Sequence, residues 1–311
     1  MKLIVSGASG QYGRLAVEGL LERVPAGELI LMTRRPEKLA RYRAQGADVR
    51  YGDFDDPASL LSTFHGGEKL LMISTGRVGK RLPQHRNAID AAVKAGVRHI
   101  VYTSFVNAGG ANPALVAKEH GATEDMLRAS GLAWTSMRDS QYGDAMVEAA
   151  APIAIQSGRW FASALEGRIG FVTRRDCAAS SVAVLTTPGH ENRIYNITGP
   201  QLLSFRQVAA LTAEVSGHPV EYTVVDDEGM YRMFDALGIP REAVDDQIVN
   251  GIPWSSNDMV SFERAIRDGF LDLLSDDVEK LTGRKPQTLR SLFLEHRERL
   301  RAIRPQSATA G

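Results

Sequence analysis

Three glycines close to the amino terminus have the spacing of a phosphate-binding turn. An apolar run at 3–5 leads directly into Gly7, Gly10 and Gly13, and apolar residues at helical spacing follow over 15–21. With no side chain in the way, the backbone can approach a phosphate closely, and the free N–H groups at a helix N-terminus favour its charge. The pattern predicts a pyrophosphate site, and therefore a dinucleotide cofactor and redox chemistry.

The spacing is G-x-x-G-x-x-G rather than G-x-G-x-x-G, so an ordinary glycine turn between a strand and a helix is the alternative. The position of the turn directly after a strand favours the nucleotide interpretation. We expect Gln11 and Tyr12 to contribute backbone N–H groups. The predicted cofactor contacts in this turn are Ser6, Gly7, Ser9, Gly10, Gln11, Tyr12 and Gly13.

Two arginines after the second predicted strand indicate which dinucleotide is bound. That strand covers 28–33, and Arg34 and Arg35 follow it. A cofactor with a free ribose 2′-hydroxyl usually meets an Asp or Glu about 20 residues after the glycines. No carboxylate stands here, whereas a guanidinium suits a 2′-phosphate. We therefore predict NADP(H) rather than NAD(H), the alternative being that the arginines begin a solvated loop.

Strand and helix patterns alternate from residue 2 to residue 139, as a doubly wound parallel sheet requires. Ligands in such sheets lie outside the carboxyl ends of the strands. Polar residues at those ends are therefore candidate cofactor contacts, although each is also a possible strand-end cap. The candidates are Asp53, Phe54, Ser74, Thr75, Gly76, Thr103 and Ser104.

The second half of the chain is less regular and richer in helix signals. We predict an α/β, Rossmann-type doubly wound parallel sheet with a smaller, helix-rich C-terminal substrate lobe. The predicted divisions are a cofactor domain at 1–150, an interleaved substrate-pocket lobe at 151–303 and a flexible tail at 304–311. One of the predicted helices covers 240–248.

Composition narrows the class of protein. The chain has 37 basic and 37 acidic residues among 311, so no basic surface for nucleic acid is indicated. The sequence shows neither a signal peptide nor an apolar stretch of the roughly 18 residues that a membrane span needs, and we expect a cytoplasmic protein. The single cysteine, Cys177, lies in an apolar helical pattern and is expected to be buried. No metal site is predicted, and a homodimer is compatible with the sequence.

A frequent catalytic pair of reductases with this fold, a Tyr four residues before a Lys, is absent. None of the eight tyrosines is followed by Lys at that spacing. An alcohol dehydrogenase or a sugar epimerase that depends on this pair is therefore disfavoured.

Eight segments, which are spread over nearly the whole chain, match the pattern of a known family. They are 7–13, 33–36, 52–57, 115–124, 134–139, 172–177, 189–199 and 281–286, and the pattern from Lys118 to Glu124 is the more specific part. On these segments the chain resembles the NmrA-like, atypical short-chain dehydrogenase/reductase family, particularly its type-two quinone oxidoreductases and triphenylmethane dye reductases. The resemblance implies an NADPH-dependent reductase that passes hydride to a conjugated acceptor such as a quinone, a dye or an enone, without the Tyr/Lys pair.

The resemblance also implies roles for residues of the predicted cleft. His120 is a candidate proton donor, although a helical bond to Glu124 would serve equally well without chemistry. Lys118 is a candidate contact to a ribose or phosphate, or a solvated lysine, and Tyr142 is a candidate beside the nicotinamide. The catalytic candidates are thus His120, Lys118 and Tyr142, with Lys118 also a cofactor candidate. The acceptor-pocket candidates are Phe105, Arg138, Asp139, Tyr142 and Trp160.

Three of the acceptor-pocket candidates, Phe105, Asp139 and Trp160, need further comment. For Phe105 and Trp160 a plain core position is the favoured alternative, since buried aromatic rings mainly supply apolar area. The family usually has Arg-Asn where this chain has Arg138 and Asp139. The departure adds a possible negative charge and bears on the acceptor class.

Two other functions remain open at this point. One is a regulator that binds NADP(H) without turning it over and signals its redox state to a protein partner. The other is a pathway-specific carbonyl or C=C reductase. The segment 249–258 departs from the shorter form of the family, and it would either reshape the acceptor pocket, form a surface loop or make a subunit contact.

Overall fold

Seven parallel strands form the central sheet of the structure, a computed structural model that describes residues 1–244, 249 and 254–305. The strands run in the order β3-β2-β1-β4-β5-β6-β9. The described strands are β1 (Leu3–Val5), β2 (Leu29–Thr33), β3 (Asp48–Tyr51), β4 (Lys69–Met72), β5 (His99–Phe105), β6 (Ala133–Asp139), β7 (Arg159–Ala162), β8 (Arg168–Ile169), β9 (Arg193–Ile197), β10 (Leu203–Ser204) and β11 (Glu221–Val224).

The central strands are continuous apolar runs because helices cover both faces of the sheet. Every residue of β1, β2 and β5 is buried. Strand β1 pairs on one side with β2 and on the other with β4, with Val5 opposite Leu31 and Leu71. The strand order reverses at β1, which opens the crevice where such folds bind ligands. The predicted Rossmann-type fold class is confirmed.

Helices connect the strands and complete the second half of the chain. The α-helices are α1 (Gln11–Leu21), α2 (Ala40–Ala44), α3 (Pro57–Phe64), α4 (Arg81–Ala95), α5 (Leu115–Ala129), α6 (Gly143–Ala145), α7 (Ala151–Ser157), α8 (Arg174–Thr186), α9 (Phe205–Ser216), α10 (Asp227–Ala236), α11 (Ser256–Arg267), α12 (Asp277–Thr282), α13 (Leu289–Glu295) and α14 (Arg297–Arg301). Short 3₁₀ turns cover Ala26–Glu28 and Pro36–Leu39, and a π-helical turn, Met146–Ala150, joins α6 to α7.

The second half of the chain contributes to the central sheet and its helices, and also forms smaller elements outside that sheet. Helix α8 packs against α1, and β9 extends the central sheet beside β6. The remaining strands form two small pairs, β7 with β11 and β8 with β10. A separate apolar cluster gathers Met230, Phe234 and Val260 from α10 and α11. These helices lie over the carboxyl ends of the central strands.

One predicted helix is wrong where the structure describes it. Residues 240–244 are not helical, and 245–248 lie outside the described residues. The carbonyl groups of Pro240 and Arg241 instead accept hydrogen bonds from the N–H groups of Ser256 and Asn257, at the start of α11. Capping the next helix therefore takes precedence over local helix propensity.

Two further observations limit the class of protein. No helix among the described residues is long and apolar enough to cross a membrane. Within that part of the chain, no three His, Cys, Asp or Glu side chains are grouped to hold a metal ion. Cys177 is a buried free thiol, as expected.

Candidate active site

The glycine turn joins β1 tightly to α1. Gly7 has φ +59°, a left-handed conformation that favours glycine. A Cβ on Gly13 would overlap the carbonyl oxygen of Gly7 and lie 2.8 Å from the Cα of Ala8. Gly7 and Gly10 are exposed, whereas Gly13 is buried against the turn. The first two glycines thus leave the backbone open to a ligand, and the third allows helix and strand to approach each other.

The start of α1 presents unused hydrogen-bond donors. Gly10 caps the helix without a side-chain hydrogen bond. The N–H groups of Gln11, Tyr12 and Gly13 precede the first intrahelical bond, which Arg14 donates to Gly10. Three free amides beside an exposed glycine backbone fit a pyrophosphate. The Tyr12 side chain points away from this opening, since it is buried and its hydroxyl bonds to Ser181 at 2.8 Å.

Arg34 and Arg35 lie at the carboxyl end of β2, beside the turn. Both side chains are exposed, and neither has an ion pair or side-chain hydrogen bond within the described residues. The hydroxyl of Thr33 accepts the Arg35 N–H at 3.1 Å and bonds to Ser9 at 2.8 Å, which links the two loops. Two uncommitted guanidinium groups therefore flank the place where the adenosine ribose of a dinucleotide would lie.

The other strand-end candidates on the adenosine side have mixed positions. Asp53 is half-buried, and its carboxylate accepts the N–H of Asp55 at 3.1 Å. The Phe54 ring is buried in the core against His85, so it is not an exposed wall. Asp53 thus remains a candidate for the adenine, and Phe54 offers only its backbone.

Hydroxyl groups at the ends of β1, β4 and β5 are used in hydrogen bonds within the protein. The Ser6 hydroxyl donates to Leu71 and accepts the Ile73 N–H, so it is fully used within the protein. The Thr103 hydroxyl accepts the Ser74 N–H at 2.8 Å and donates to the Ser74 hydroxyl. These bonds fix the loop after β4 at the edge of the crevice.

Three more candidates of this group differ in how far their polar groups are already used in hydrogen bonds. The Thr75 hydroxyl donates to Gln84 at 2.7 Å, and Gly76 is exposed beside it. Ser104 donates its hydroxyl to Glu124 at 2.7 Å. Only Gly76 is uncommitted, so Thr75 and Ser104 act here mainly as supports for the loop.

A cavity of about 330 Å³ lies at the carboxyl ends of β4, β5 and β6. Ser74, Ser104 and Asp139 bring those strand ends into its wall, and the π-helical turn, α10 and α11 supply the rest. Its lining is mostly apolar. The Phe, Tyr and Trp residues that line it are Phe105, Tyr142, Trp160, Phe161, Phe205, Phe234, Trp254 and Phe262.

Phe105 and Trp160 are pocket residues and core residues at once. Phe105 is 7% exposed and stacks on the His120 ring, with ring centroids 6.2 Å apart. Trp160 is 6% exposed and packs against Phe205. Trp254 and Asp258 line the cavity, which agrees with the alternative that the segment 249–258 reshapes the acceptor pocket.

Arg81, which sequence reasoning missed, places a buried guanidinium in the cavity wall. It is 6% exposed, and its Nε donates to the Thr75 carbonyl at 2.6 Å. Its Nη1 lies 3.0 Å from Nε2 of His120. No carboxylate within the described residues lies at ion-pair distance from it. A buried cation without an ion-pair partner is costly, and a ligand that carries negative charge would offset that cost.

His120 lies in the cavity wall, but both ring nitrogens are engaged. Nδ1 is 2.7 Å from the Tyr102 hydroxyl, and Nε2 faces Arg81. Since a guanidinium only donates, Nε2 accepts and the ring proton is on Nδ1. Burial, and then the charge of Arg81, hold the pKa of His120 well below its ordinary value. The ring is therefore neutral near pH 7, and the alternative bond to Glu124 is wrong.

Asp139 and Tyr142 form a second polar group of the cavity wall. The Tyr142 hydroxyl donates to Oδ2 of Asp139 at 2.8 Å. Asp139 is 2% exposed, and its Oδ1 has no hydrogen-bond partner among the described residues. Burial raises the pKa of Asp139 to about 7, outweighing the opposite effects of Tyr142 and Cys177. Burial also raises the pKa of Tyr142.

Lys118 and Arg138 do not join this group. Lys118 is exposed and does not line the cavity, because it lies one helical position away from the inward face of α5 that carries Ala117 and His120. Arg138 alternates with Asp139 along β6 and so points to the opposite face. There it holds Glu124 through two hydrogen bonds of 2.9 and 2.7 Å.

Glu124 explains why Arg138 is unavailable to a ligand. It is 1% exposed and also accepts from Ser104 and Arg128. Although burial opposes this, the hydrogen bonds from Arg138 and Ser104 hold the pKa of Glu124 below its ordinary value. The carboxylate and Arg138 therefore form a buried structural pair rather than a pocket contact.

Comparison with known proteins places this geometry among dinucleotide-dependent reductases. A family model described as NAD(P)H-binding matches residues 7–188. Quinone oxidoreductase 2 of Escherichia coli strain K12 is 38% identical over 238 residues, which cover 76% of this chain and 82% of that protein. The NAD(P)H azoreductase of Xenophilus azovorans is 28% identical over 94% of this chain and 97% of its own length.

Solved structures give the same result. The structure of an E. coli NADPH-dependent quinone oxidoreductase complexed with NADPH has a TM-score of 0.85 and 34% identity, covering 94% of this chain and 99% of that one. The Citrobacter sp. triphenylmethane reductase complexed with NADP(H) has a TM-score of 0.82 and 32% identity, covering 95% and 99%. The expected resemblance to NmrA-like reductases and the predicted dinucleotide fold are confirmed.

Proposed function

This chain is an oxidoreductase of the NAD(P)H-binding family, and we propose that it uses NADPH to reduce a planar conjugated acceptor, with quinones as the main class. The observation that carries the proposal is the cavity of about 330 Å³. It has aromatic walls, a buried cation, and an edge formed by the same strand ends that border the cofactor crevice. An acceptor there would meet the reactive end of a dinucleotide held at the glycine turn.

The residues of the crevice determine how the cofactor is held. The free amides of Gln11, Tyr12 and Gly13 bind the pyrophosphate, and Arg34 and Arg35 bind the 2′-phosphate. Bound NADPH supplies a hydride from its nicotinamide ring. The absence of a carboxylate after β2 supports NADPH over NADH.

The cavity determines which acceptors react. Phe105, Trp160 and Phe262 offer ring faces and edges to a planar compound, and the apolar walls exclude water. Stacking the acceptor in one orientation is the main contribution that the protein makes to the rate. An electron-poor conjugated system accepts hydride readily, which agrees with the absence of a Tyr/Lys pair.

Arg81 is the group best placed to hold the oxygen of the acceptor. Hydride transfer to a quinone leaves negative charge on oxygen, and a preoriented buried donor stabilises such charge strongly. Arg81 has this geometry because Thr75 and His120 fix its side chain, while no carboxylate of the described residues lies at ion-pair distance from it. His120 is thus a positioning residue for Arg81 rather than an acid. Lys118, exposed at the start of α5, keeps only its proposed role at a cofactor ribose or phosphate.

The experiment that tests the proposal is an acceptor panel with the purified full-length chain. NADPH and, separately, NADH are mixed with quinones, cationic dyes, enones and aldehydes, and the absorbance of the reduced cofactor is followed. We expect quinones to oxidise NADPH fastest and NADH to react much more slowly. Tight binding of NADPH with no oxidation by any acceptor would instead support a redox-sensing regulator.

A further inference from the structure

Asp139 lies in the cavity wall at the carboxyl end of β6, with one oxygen uncommitted. Its Oδ2 accepts the Tyr142 hydroxyl, while Oδ1 has no hydrogen-bond partner within the described part of the chain. The side chain is 2% exposed, and Asp139 is one of the residues that line the cavity. A buried carboxyl oxygen without a partner is costly unless it carries a proton or meets a ligand.

We propose that the carboxyl group of Asp139 donates the proton that completes reduction of the acceptor. This inference rests on the proposed reductase function. The acceptor gains a hydride with its electron pair from NADPH, which is oxidised to NADP⁺. The electron pair comes to rest on the acceptor oxygen, where a new O–H bond forms as the O–H bond of Asp139 breaks. The Asp139 carboxylate then regains a proton from solvent when the product leaves.

The surroundings of Asp139 favour its protonated form at pH values below about 7. Tyr142 from its own loop, Tyr12 from α1 and Cys177 from α8 face it, and all three are neutral groups. Arg174, also on α8, lies over the Tyr142 ring but pairs with Glu148 and Asp144. Since no cation among the described residues pairs with the carboxylate, burial raises the pKa of Asp139 to about 7. An acid with a pKa near the working pH suits general catalysis.

The other candidates for this proton are less suitable. The Tyr142 hydroxyl is already engaged as a hydrogen-bond donor to Asp139, and burial raises the pKa of Tyr142. His120 is neutral, and its ring proton faces Tyr102. Two further buried acids line the cavity, but Glu263 accepts the N–H groups of Ser163 and Ala164, away from the strand ends. Burial also raises the pKa of Asp258 to about 7, against the lowering effect of Arg81, but Asp258 lies on α11 rather than at a strand end that borders the cofactor crevice.

The isosteric variant Asp139→Asn, combined with two kinds of acceptor, tests the assignment. A quinone needs both a hydride and a proton, whereas a cationic triphenylmethane dye becomes neutral on gaining a hydride alone. We expect the single-turnover rate with the quinone to fall at least tenfold in Asp139→Asn, while the rate with the dye at saturation stays within about twofold of wild type. An equal loss with both acceptors in a folded variant would overturn the proposal.

The pH profile is a second kinetic test. The wild-type rate with the quinone should fall as pH rises through about 7, where Asp139 loses its proton. Tyr142→Phe removes a hydrogen bond that lowers this pKa, so the fall in its profile should move to higher pH. Asp139→Asn should show no such fall. If the pH profile of Asp139→Asn is the same as that of wild type, the fall in rate belongs to Asp258 or Glu263, and the proposal is refuted.

A measurement without turnover separates this inference from the proposed function. Infrared difference spectra of wild type and Asp139→Asn, both free of ligands, should reveal a protonated carboxyl band that titrates near pH 7 and is missing from the variant. A band that is identical in the two proteins would refute the assignment. If none of the acceptors tested supports NADPH oxidation by wild type, the proposed reductase function is refuted. Full quinone activity in Asp139→Asn would refute only the role of Asp139.

Discussion

The arginine side chains of this molecule fall into three groups, which differ in their partners and in their burial. Arg138 is bound to the buried Glu124 and is structural. Arg34 and Arg35 are exposed and have no ion-pair partner within the described residues, which suits a phosphate on a ligand. Arg81 is buried, has no carboxylate partner in that same part of the chain, and faces a cavity. These positions support the proposal that structure, cofactor choice and acceptor binding depend on different arginine side chains.

Arg34→Ala should weaken NADPH binding by about 1–3 kcal/mol, the scale of a lost hydrogen bond to a charged group, and should leave NADH binding nearly unchanged. Isothermal titration calorimetry with both cofactors measures the difference. Arg86→Ala, at an exposed arginine of α4, is the matched control and should change neither affinity. Equal losses for NADPH and NADH in Arg34→Ala would contradict recognition of the 2′-phosphate.

Arg81→Met should lower kcat with a quinone by a factor of about 10²–10³, the typical effect of removing a donor that stabilises a developing oxyanion. NADPH affinity should stay the same. Because Arg81 lowers the pKa of His120, the variant should also raise that pKa, which NMR of the imidazole can follow. Wild-type kcat together with a raised His120 pKa would show that the acceptor does not depend on Arg81.

The difference between predictable and unpredictable residues follows from the distance to their partners. The proposed roles of Gly7, Gly13 and Arg34 depend on neighbours close in the chain. The local sequence pattern is therefore enough to predict these roles. The role of Arg81 depends on His120, 39 residues away, and on a cavity closed by α10 and α11. Arg138 resembled a pocket residue until its face of β6 was known.

At the scale of elements, the close approach of α1 to the glycine turn sets the cofactor site. Helix α1 also packs on α8, which carries Cys177 and faces Asp139. The first six strands of the sheet were predictable because each is a short apolar run followed by a turn and a helix. The second half was less predictable, since short pairs such as β8 with β10 depend on contacts between distant segments.

Gly13→Ala should destabilise the fold by about 1–3 kcal/mol and abolish measurable NADPH binding, because a Cβ there overlaps the Gly7 carbonyl and forces α1 outward. Chemical denaturation and calorimetry give the two quantities. Gly27→Ala is the matched control, since its nearest neighbour is 3.9 Å away and its φ is not positive. Normal NADPH affinity in Gly13→Ala would show that the turn is not the pyrophosphate site.

At the scale of the whole molecule, three buried carboxyl groups of the cavity wall make the free energy of unfolding depend on pH. Burial raises the pKa of Asp139, Asp258 and Glu263 to about 7 in each case. Between their ordinary values and pH 7, the folded chain holds protons that the unfolded chain has lost. Stability therefore falls as pH rises through this window and reaches its lower plateau above pH 7.

Asp139→Asn should remove one part of this dependence. The free energy of unfolding of the variant relative to wild type should increase from about pH 4 to about pH 7, by at most about 4 kcal/mol, because each unit of pKa shift corresponds to about 1.4 kcal/mol. Urea denaturation of both proteins at a series of pH values measures it. A difference that does not vary with pH would mean that Asp139 titrates normally in the folded state.

A crystal structure of the chain with NADP⁺ and a hydroquinone tests the central claim most directly. The account predicts the pyrophosphate on the amides of 11–13, the 2′-phosphate beside Arg34 and Arg35, and the hydroquinone ring in the cavity, with one oxygen at Arg81 and ring stacking on the nicotinamide. A nicotinamide that points away from the cavity, or a ring bound elsewhere with the cavity empty, would contradict it.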